Sequence, residues 1–220
     1  MALDSYAGLQ AALGTWTDNR TDLPAADLVT LAEARLNRDL RLRRMEVEAA
    51  LTLAAGERTA PLPADFLEPL GLWVDPGAGR RALRFIPAAM ETQGVAGPPR
   101  LWTVDGDAIA FNGPADQTYD LVLRYLQRFS LASAAPADGT QSNWLLQHWP
   151  DAYLASGNIE AALWTQDDEQ AVRWEARYAD ALASINRLEA RSQALTTLNA
   201  DAAIQQRATS RRRFDINRGS

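Results

Sequence analysis

The stretch Asn143-Trp144-Leu145-Leu146-Gln147-His148-Trp149-Pro150-Asp151, continuing past Trp164 and Gln166-Asp167-Asp168-Glu169 to Asn199, decides the fold. In its second half Ala171, Trp174, Tyr178, Ala181, Leu182, Ile185, Leu188, Leu195 and Leu198 fall on one stripe at helical period. Arg173, Arg177, Asp180, Arg187, Glu189 and Arg191 lie largely off that stripe. The pattern predicts two helices joined by an acidic turn. Asp167 is placed to cap the second helix with its carboxylate, with Gln170 positioned to reach back. Asp168 and Glu169 then sit in the first turn, where negative charge complements the helix dipole. Pro150 needs no donor if it begins a helical segment, so Asn143 to His148 reads as a short separate turn. Tyr153, Leu154, Gly157, Ala161 and Trp164 are then expected to face the longer helix, with small residues allowing close approach.

Working outward, 220 residues at 47% hydrophobic content suffice for one good core or two small ones and exclude wholesale disorder. No run of eighteen apolar residues occurs and the start Met-Ala-Leu-Asp-Ser-Tyr lacks the order of a secretion signal, so neither membrane nor export is expected. Without cysteine there is no disulfide or thiolate chemistry, and the single histidine, His148, leaves little for a metal. A net charge of −6 opposes a surface built to grip nucleic-acid backbone. Every basic residue is arginine; lysine does not occur.

Toward the N-terminus, Tyr6, Leu9, Ala12 and Leu13 predict a short helix stopping at Gly14. Leu28, Leu31, Ala32, Leu36 and Leu40 predict a second one, basic at its end through Arg41, Arg43 and Arg44, where cations complement the dipole. From Met45 to Phe129 prolines and glycines punctuate short segments of period two. Strands are expected at Val47 to Leu53, Thr59 to Leu62, Leu67 to Val74, Arg81 to Ile86, Leu101 to Val104, Ala108 to Phe111 and Thr118 to Arg128. Turns are expected at Asp75-Pro76-Gly77 and, as a hairpin, at Asp105-Gly106-Asp107; Pro87 to Glu91 reads as one helical turn. The class is therefore α+β: a helical bundle of two N-terminal helices and a long C-terminal helix hairpin, with an inserted antiparallel sheet and an extended C-terminal tail. Its expected parts are residues 1–44, the β domain 45–129, a linker 130–142, the hairpin 143–203 and the tail 204–220.

Catalytic signals are missing. His148 beside Trp149 suits a packed or surface role better than a general base. Asp167, Asp168 and Glu169 are consecutive on a helix and point apart, so capping is favoured over a metal cluster. No catalytic residue, metal ligand or cofactor is expected. Seven tryptophans exceed the needs of one small core, and large aromatics are enriched where subunits meet. Trp164 and Trp174 read as buried, while Trp73 and Trp102, in the sheet, are the inter-subunit candidates.

The order of parts resembles the head-to-tail adaptor proteins of tailed phages and gene transfer agents. The likeness is carried by Leu31-Ala32-Glu33-Ala34-Arg35-Leu36-Asn37-Arg38-Asp39-Leu40-Arg41, Leu62-Pro63-Ala64-Asp65-Phe66, Asn143-Trp144-Leu145-Leu146 and Trp174-Glu175-Ala176-Arg177-Tyr178. It covers nearly the whole chain to about Leu188, with Trp149-Pro150-Asp151 where relatives have Tyr-Pro-Asp. The resemblance implies a structural virion protein without enzymatic activity: a ring, usually of twelve copies, under the portal protein, joining it to a stopper or tail protein around a DNA channel. It makes Arg211, Arg212, Arg213 and Phe214 the candidate portal contact. The alternative from another class is a nucleic-acid-binding regulator using Arg38 to Arg44 and the arginine tail, and behind it a hydrolase.

Overall fold

The structure, a computed structural model, describes residues 3–75, 79–87, 94–132, 134 and 138–210, with side chains described to Ser192 in the last helix. The turn at Asp75-Pro76-Gly77 lies partly, and the helical turn at Pro87 to Glu91 largely, outside the described residues. The protein is α+β. It divides into two compact units, Met1–Leu36 with Ala132–Ser220, and Asn37–Leu131.

The first unit is helical: α1 (Tyr6–Trp16), most of α2 (Ala25–Asp39), α3 (Trp144–His148), α4 (Pro150–Thr165) and α5 (Asp168–Ser210). Ser5 caps α1 by accepting from the Gly8 N–H, and Asn143 caps α3 by accepting from the Leu146 N–H at 2.8 Å. Gly14 does not end α1; the helix runs on to Trp16, and Asp18 and Asn19 turn the chain in left-handed conformation at φ 59 and 58. Both residue types tolerate that region better than most.

α4 is the centre of this unit, buried continuously from Ala152 to Ile159 and again at Ala161 and Ala162. A helix apolar or small on every side belongs inside a core. Gly157 meets α1, since a Cβ there would lie 2.7 Å from Leu13 Cδ2. Leu13 thus occupies the room that the missing side chain leaves. On α2, Ala32 O accepts from Ser156 Oγ at 3.1 Å and Arg35 pairs with Glu160 at 2.7 Å. α5 buries Ala171, Trp174, Tyr178, Ala181 and Ile185; Leu188 is 48% exposed, so the packed part of the expected stripe ends earlier. The helix itself continues to Ser210, past the expected end at 203. Ala202, Ala203, Gln205, Gln206, Arg207 and Ala208 are good helix formers, which explains the extension.

The reversal between α4 and α5 follows the expected chemistry and adds to it. Asp167 Oδ1 accepts from the Gln170 N–H at 3.0 Å. Before it, Gln166 adopts left-handed conformation at φ 59, its N–H bonds Leu163 O, and the Asp167 N–H bonds Ala162 O at 2.9 Å. These are the paired bonds of a Schellman ending, here without glycine.

The second unit holds two four-stranded sheets where one was expected. One has the order β1-β8-β3-β4 and the other β2-β7-β6-β5, with β1 (Glu46–Leu53), β2 (Thr59–Pro61), β3 (Phe66–Val74), β4 (Arg81–Ala82), β5 (Arg84–Phe85), β6 (Leu101–Asp105), β7 (Ala108–Phe111) and β8 (Tyr119–Gln127). The expected strand from Arg81 to Ile86 is split. Leu83, between its halves, buries its side chain and donates its N–H to Leu72 O, while Arg84 and Phe85 move to the other sheet and pair with β6 in parallel. Thr59 to Pro61 pairs with β7, not with its sequence neighbour β1. Gly106, at φ 57, opens the two-residue hairpin between β6 and β7. One core joins the sheets, with Leu53, Leu72, Val74, Trp102, Ile109, Phe111, Leu121, Leu123 and Tyr125 inside. After β8 the Asn37 side chain imitates a strand, donating to Phe129 O at 2.9 Å and accepting from its N–H.

Candidate functional site

In the helical unit a cavity of about 280 Å³ opens at the ends of α1 and α4 and the start of α5. One wall is aromatic: Trp16 and Trp174 meet edge to face, centroids 5.4 Å apart. The rest is mostly polar, formed by Thr17, Asp18, Arg20, Asn158, Thr165, Asp167 and Gln170 beside the small apolar Ala162. Thr17 Oγ1 donates to Leu13 O at 2.8 Å, and Thr165 Oγ1 donates to Ala161 O at 3.0 Å. Asn158 is 1% exposed; its amide N–H₂ donates to Leu154 O, but its Oδ1 has no hydrogen-bond partner among the described residues. Arg20 stands at the rim, held by Asp22 and lying 5.2 Å from the centroid of the Trp164 ring. Trp164, expected inside, is 43% exposed because it faces this arginine rather than the core. No sequence period marks this site; only the folded termini bring its residues together.

Deeper in the same unit runs a buried polar chain. Asn143 Nδ2 donates to Tyr153 Oη at 2.6 Å, and Tyr153 Oη donates to Glu33 Oε1 at 2.9 Å. Burial, and after it the nearby Glu33 carboxylate, raises the Tyr153 phenol well above its ordinary value. In the β unit, burial and the hydrogen bond to Asp65 push Tyr125 up to about 12. These groups hold structure; none faces a nucleophile.

Among the described residues no group of three His, Asp or Glu side chains is arranged to hold a metal ion, and no helix is long and apolar enough to cross a membrane. His148 is exposed, its Nδ1 2.8 Å from Trp144 O within its own helix. Arg41, in the basic segment after α2, reaches back to Asn37 O, Arg38 O and Leu40 O and pairs with Glu68 at 2.7 Å. It closes the helix end, as the dipole favours.

Of the expected contact residues, Arg211, Arg212, Arg213 and Phe214 lie outside the described residues. Trp73 is half-buried and its ring lies against Gly71, where a Cβ would come within 2.5 Å of the indole. The absence of a side chain at Gly71 lets the indole lie flat on the sheet. Trp102 is 2% exposed, donates its indole N–H to Leu83 O at 3.3 Å and belongs to the sheet core, so it presents almost no surface to a neighbouring subunit. Phe85, packed edge-on against it at 4.9 Å and 50% exposed, is the surface aromatic at that place. Phe85 is hidden in the sequence because the alternation of residues 81–86 predicts one strand in one sheet, whereas Arg84 and Phe85 pair in the other.

Among the described residues the chain has one helical unit and one unit of paired sheets. Comparison with known proteins supplies the class: the chain belongs to the SU10 adaptor protein family, which it matches over residues 4–205. This is a family of phage head-to-tail adaptors, structural proteins and not known enzymes. Membership implies a component of the virion at the junction of head and tail. No curated protein matches the chain.

Proposed function

We propose that the protein forms a ring of identical subunits, twelve in number, seated under the portal protein and joining it to a stopper or tail protein. The carrying observation is the family match across residues 4–205, which includes both units. A repeated heterologous contact closes rigid subunits into a ring when the rotation per subunit divides the circle. In this reading Arg211, Arg212, Arg213 and Phe214 engage the portal, arginine forks bonding carboxylates and Phe214 anchoring in an apolar seat. Trp73, half-exposed on its sheet, contacts the neighbouring subunit. The chain's net charge of −6 suits a channel wall over which genomic DNA slides without sequence-specific binding. Assembly takes place in the host cytoplasm, and no cofactor takes part.

Mixed with its portal, the full chain should form a stable co-complex, seen as co-elution in size exclusion. Deleting Gln205 to Ser220 should abolish that complex while leaving the helical circular dichroism of the rest intact. Retained association would remove the tail from the assignment. Particles lacking the protein should lose their DNA or fail to join tails. A steep salt-dependent affinity for duplex DNA, with no portal complex, would instead favour the nucleic-acid-binding regulator.

A further inference from the structure

We infer that free copies of this chain pair edge to edge through β1, each strand lying antiparallel to its twin in the other copy. A sheet edge carries unpaired N–H and C=O groups and is a template for a further strand, so folds shorten or interrupt their edges. Among the described residues three of the four sheet edges are blunted in this way. β2 spans three residues and includes Pro61, and β4 and β5 span two each. β1 is not blunted. It runs for eight residues, Glu46–Leu53, without proline, and its register with β8 is unbroken from Glu46 opposite Leu126 to Leu53 opposite Tyr119. In an antiparallel strand every second residue turns its N–H and C=O away from the neighbour already in place. On the outer side of β1 these groups meet no strand among the described residues.

Charge is the other common guard of an edge, and on β1 it is engaged elsewhere. Glu46 pairs with Arg124 of β8, and Glu48 pairs with Arg80 at 2.9 Å, so both carboxylates are held by arginines of their own unit. Beyond them the solvent face carries Ala50 and Thr52, both exposed, while Val47, Ala49, Leu51 and Leu53 turn to the core. The occupant must offer an edge of matching length, and among the described strands of a second copy β1 itself is the one edge that does. The match is self-complementary. Opposite residues of an antiparallel pair share a face, so a twofold contact sets Ala49 against Ala49 or Ala50 against Ala50 in the two registers of fullest overlap. In the first, Glu48 meets Ala50 and Glu46 meets Thr52 across the join; in the second, Glu48 meets Thr52. Neither sets glutamate on glutamate, whereas registers centred on Val47 or Glu48 do. Such a contact is isologous and a ring is built on a heterologous one, so the pair belongs to chains outside the ring.

The test is sedimentation equilibrium of the full chain, with hydrogen exchange to locate the contact. A monomer–dimer equilibrium is expected, and alternate amides of β1 should gain protection as concentration rises. Ala50→Glu sets a carboxylate against Glu48 in one register and against its own twin in the other, so it should weaken pairing at least tenfold. Thr52→Lys faces Glu46 in the first register and Glu48 in the second, so it should pair at least as tightly as the unaltered chain. Both positions are exposed on the solvent face, so neither change touches the core. A chain monomeric at every concentration, protection that rises away from β1, or undiminished pairing by Ala50→Glu overturns the contact. Equal weakening by Thr52→Lys overturns the antiparallel match. Protection of β1 that appears only on adding the portal gives the edge to a strand of that protein and overturns the second copy as occupant.

Discussion

The two units solve the problem of a closed interior differently. In the β unit the core is apolar almost throughout, with Phe111, Ile109, Leu121 and Leu123 packed between sheets, and its hydrogen bonds of Asp65 and Asn37 stay at the margins. In the helical unit polar groups run through the middle: Glu33, Tyr153, Ser156 and Asn158 are all buried around α4. The difference teaches that a helix surrounded on all sides can be positioned by specific hydrogen bonds, whereas facing sheets are positioned by their backbone ladders and need only volume between them. One interior should answer chiefly to lost volume, the other chiefly to lost bonds.

The largest expected effect tests the first half of that contrast. Phe111→Ala should cost about 3–5 kcal/mol in chemical denaturation, because the side chain is fully buried and its cavity cannot collapse against two ladders. Hydrogen exchange should locate the loss in β8 rather than in α4; equal loss in both would break the contrast. Next, Tyr153→Phe removes the donor to Glu33 and the acceptor for Asn143 and should cost about 1–3 kcal/mol, although almost no volume changes. A neutral result by thermal melting would show that the buried chain is not what positions α4.

Alkaline titration sharpens the same point. Both phenols have raised values in the fold, so their contribution is complete below the ordinary tyrosine value near 10 and is lost as pH rises through the folded one. Stability measured by denaturant should therefore fall from about pH 10 toward 12, and Tyr125→Phe with Tyr153→Phe should flatten that fall. Asp167→Ala should cost about 1 kcal/mol by loss of the cap, and Asp167→Asn much less. Smallest is the exposed Glu169–Arg173 pair on α5, where Arg173→Ala should cost only about 0.2–0.5 kcal/mol and less in high salt.

How legible each region was follows from the same physics. The stripe on α5, its Asp167 cap, the Asn143 turn and the Gly106 hairpin were readable because each is set by neighbours in sequence. α4 is hard to orient for the opposite reason: with almost every face buried it has no polar side, and Leu13 of α1 against Gly157 leaves no mark in the sequence period. The split at Leu83 was hidden because alternation continues through a residue that changes sheets. Gly14 predicts a stop that α1 does not make, and the left-handed position falls on Gln166, since glycine is only the commonest occupant of such positions. The cavity near Asn158 left no trace in the linear pattern, its walls coming from residues 16–20 and 158–174.

α5 runs on past its buried stripe. Among its described side chains none past Ile185 is buried, yet the helix continues through the 25 residues from Asn186 to Ser210, about 37 Å at the usual rise. From Asn186 to Ser192 the described side chains are exposed or half-buried, so these turns draw mainly on local propensity. Their degree of winding is therefore a gauge: any protein that seats itself along the span will register as added ellipticity at 222 nm, with no label attached.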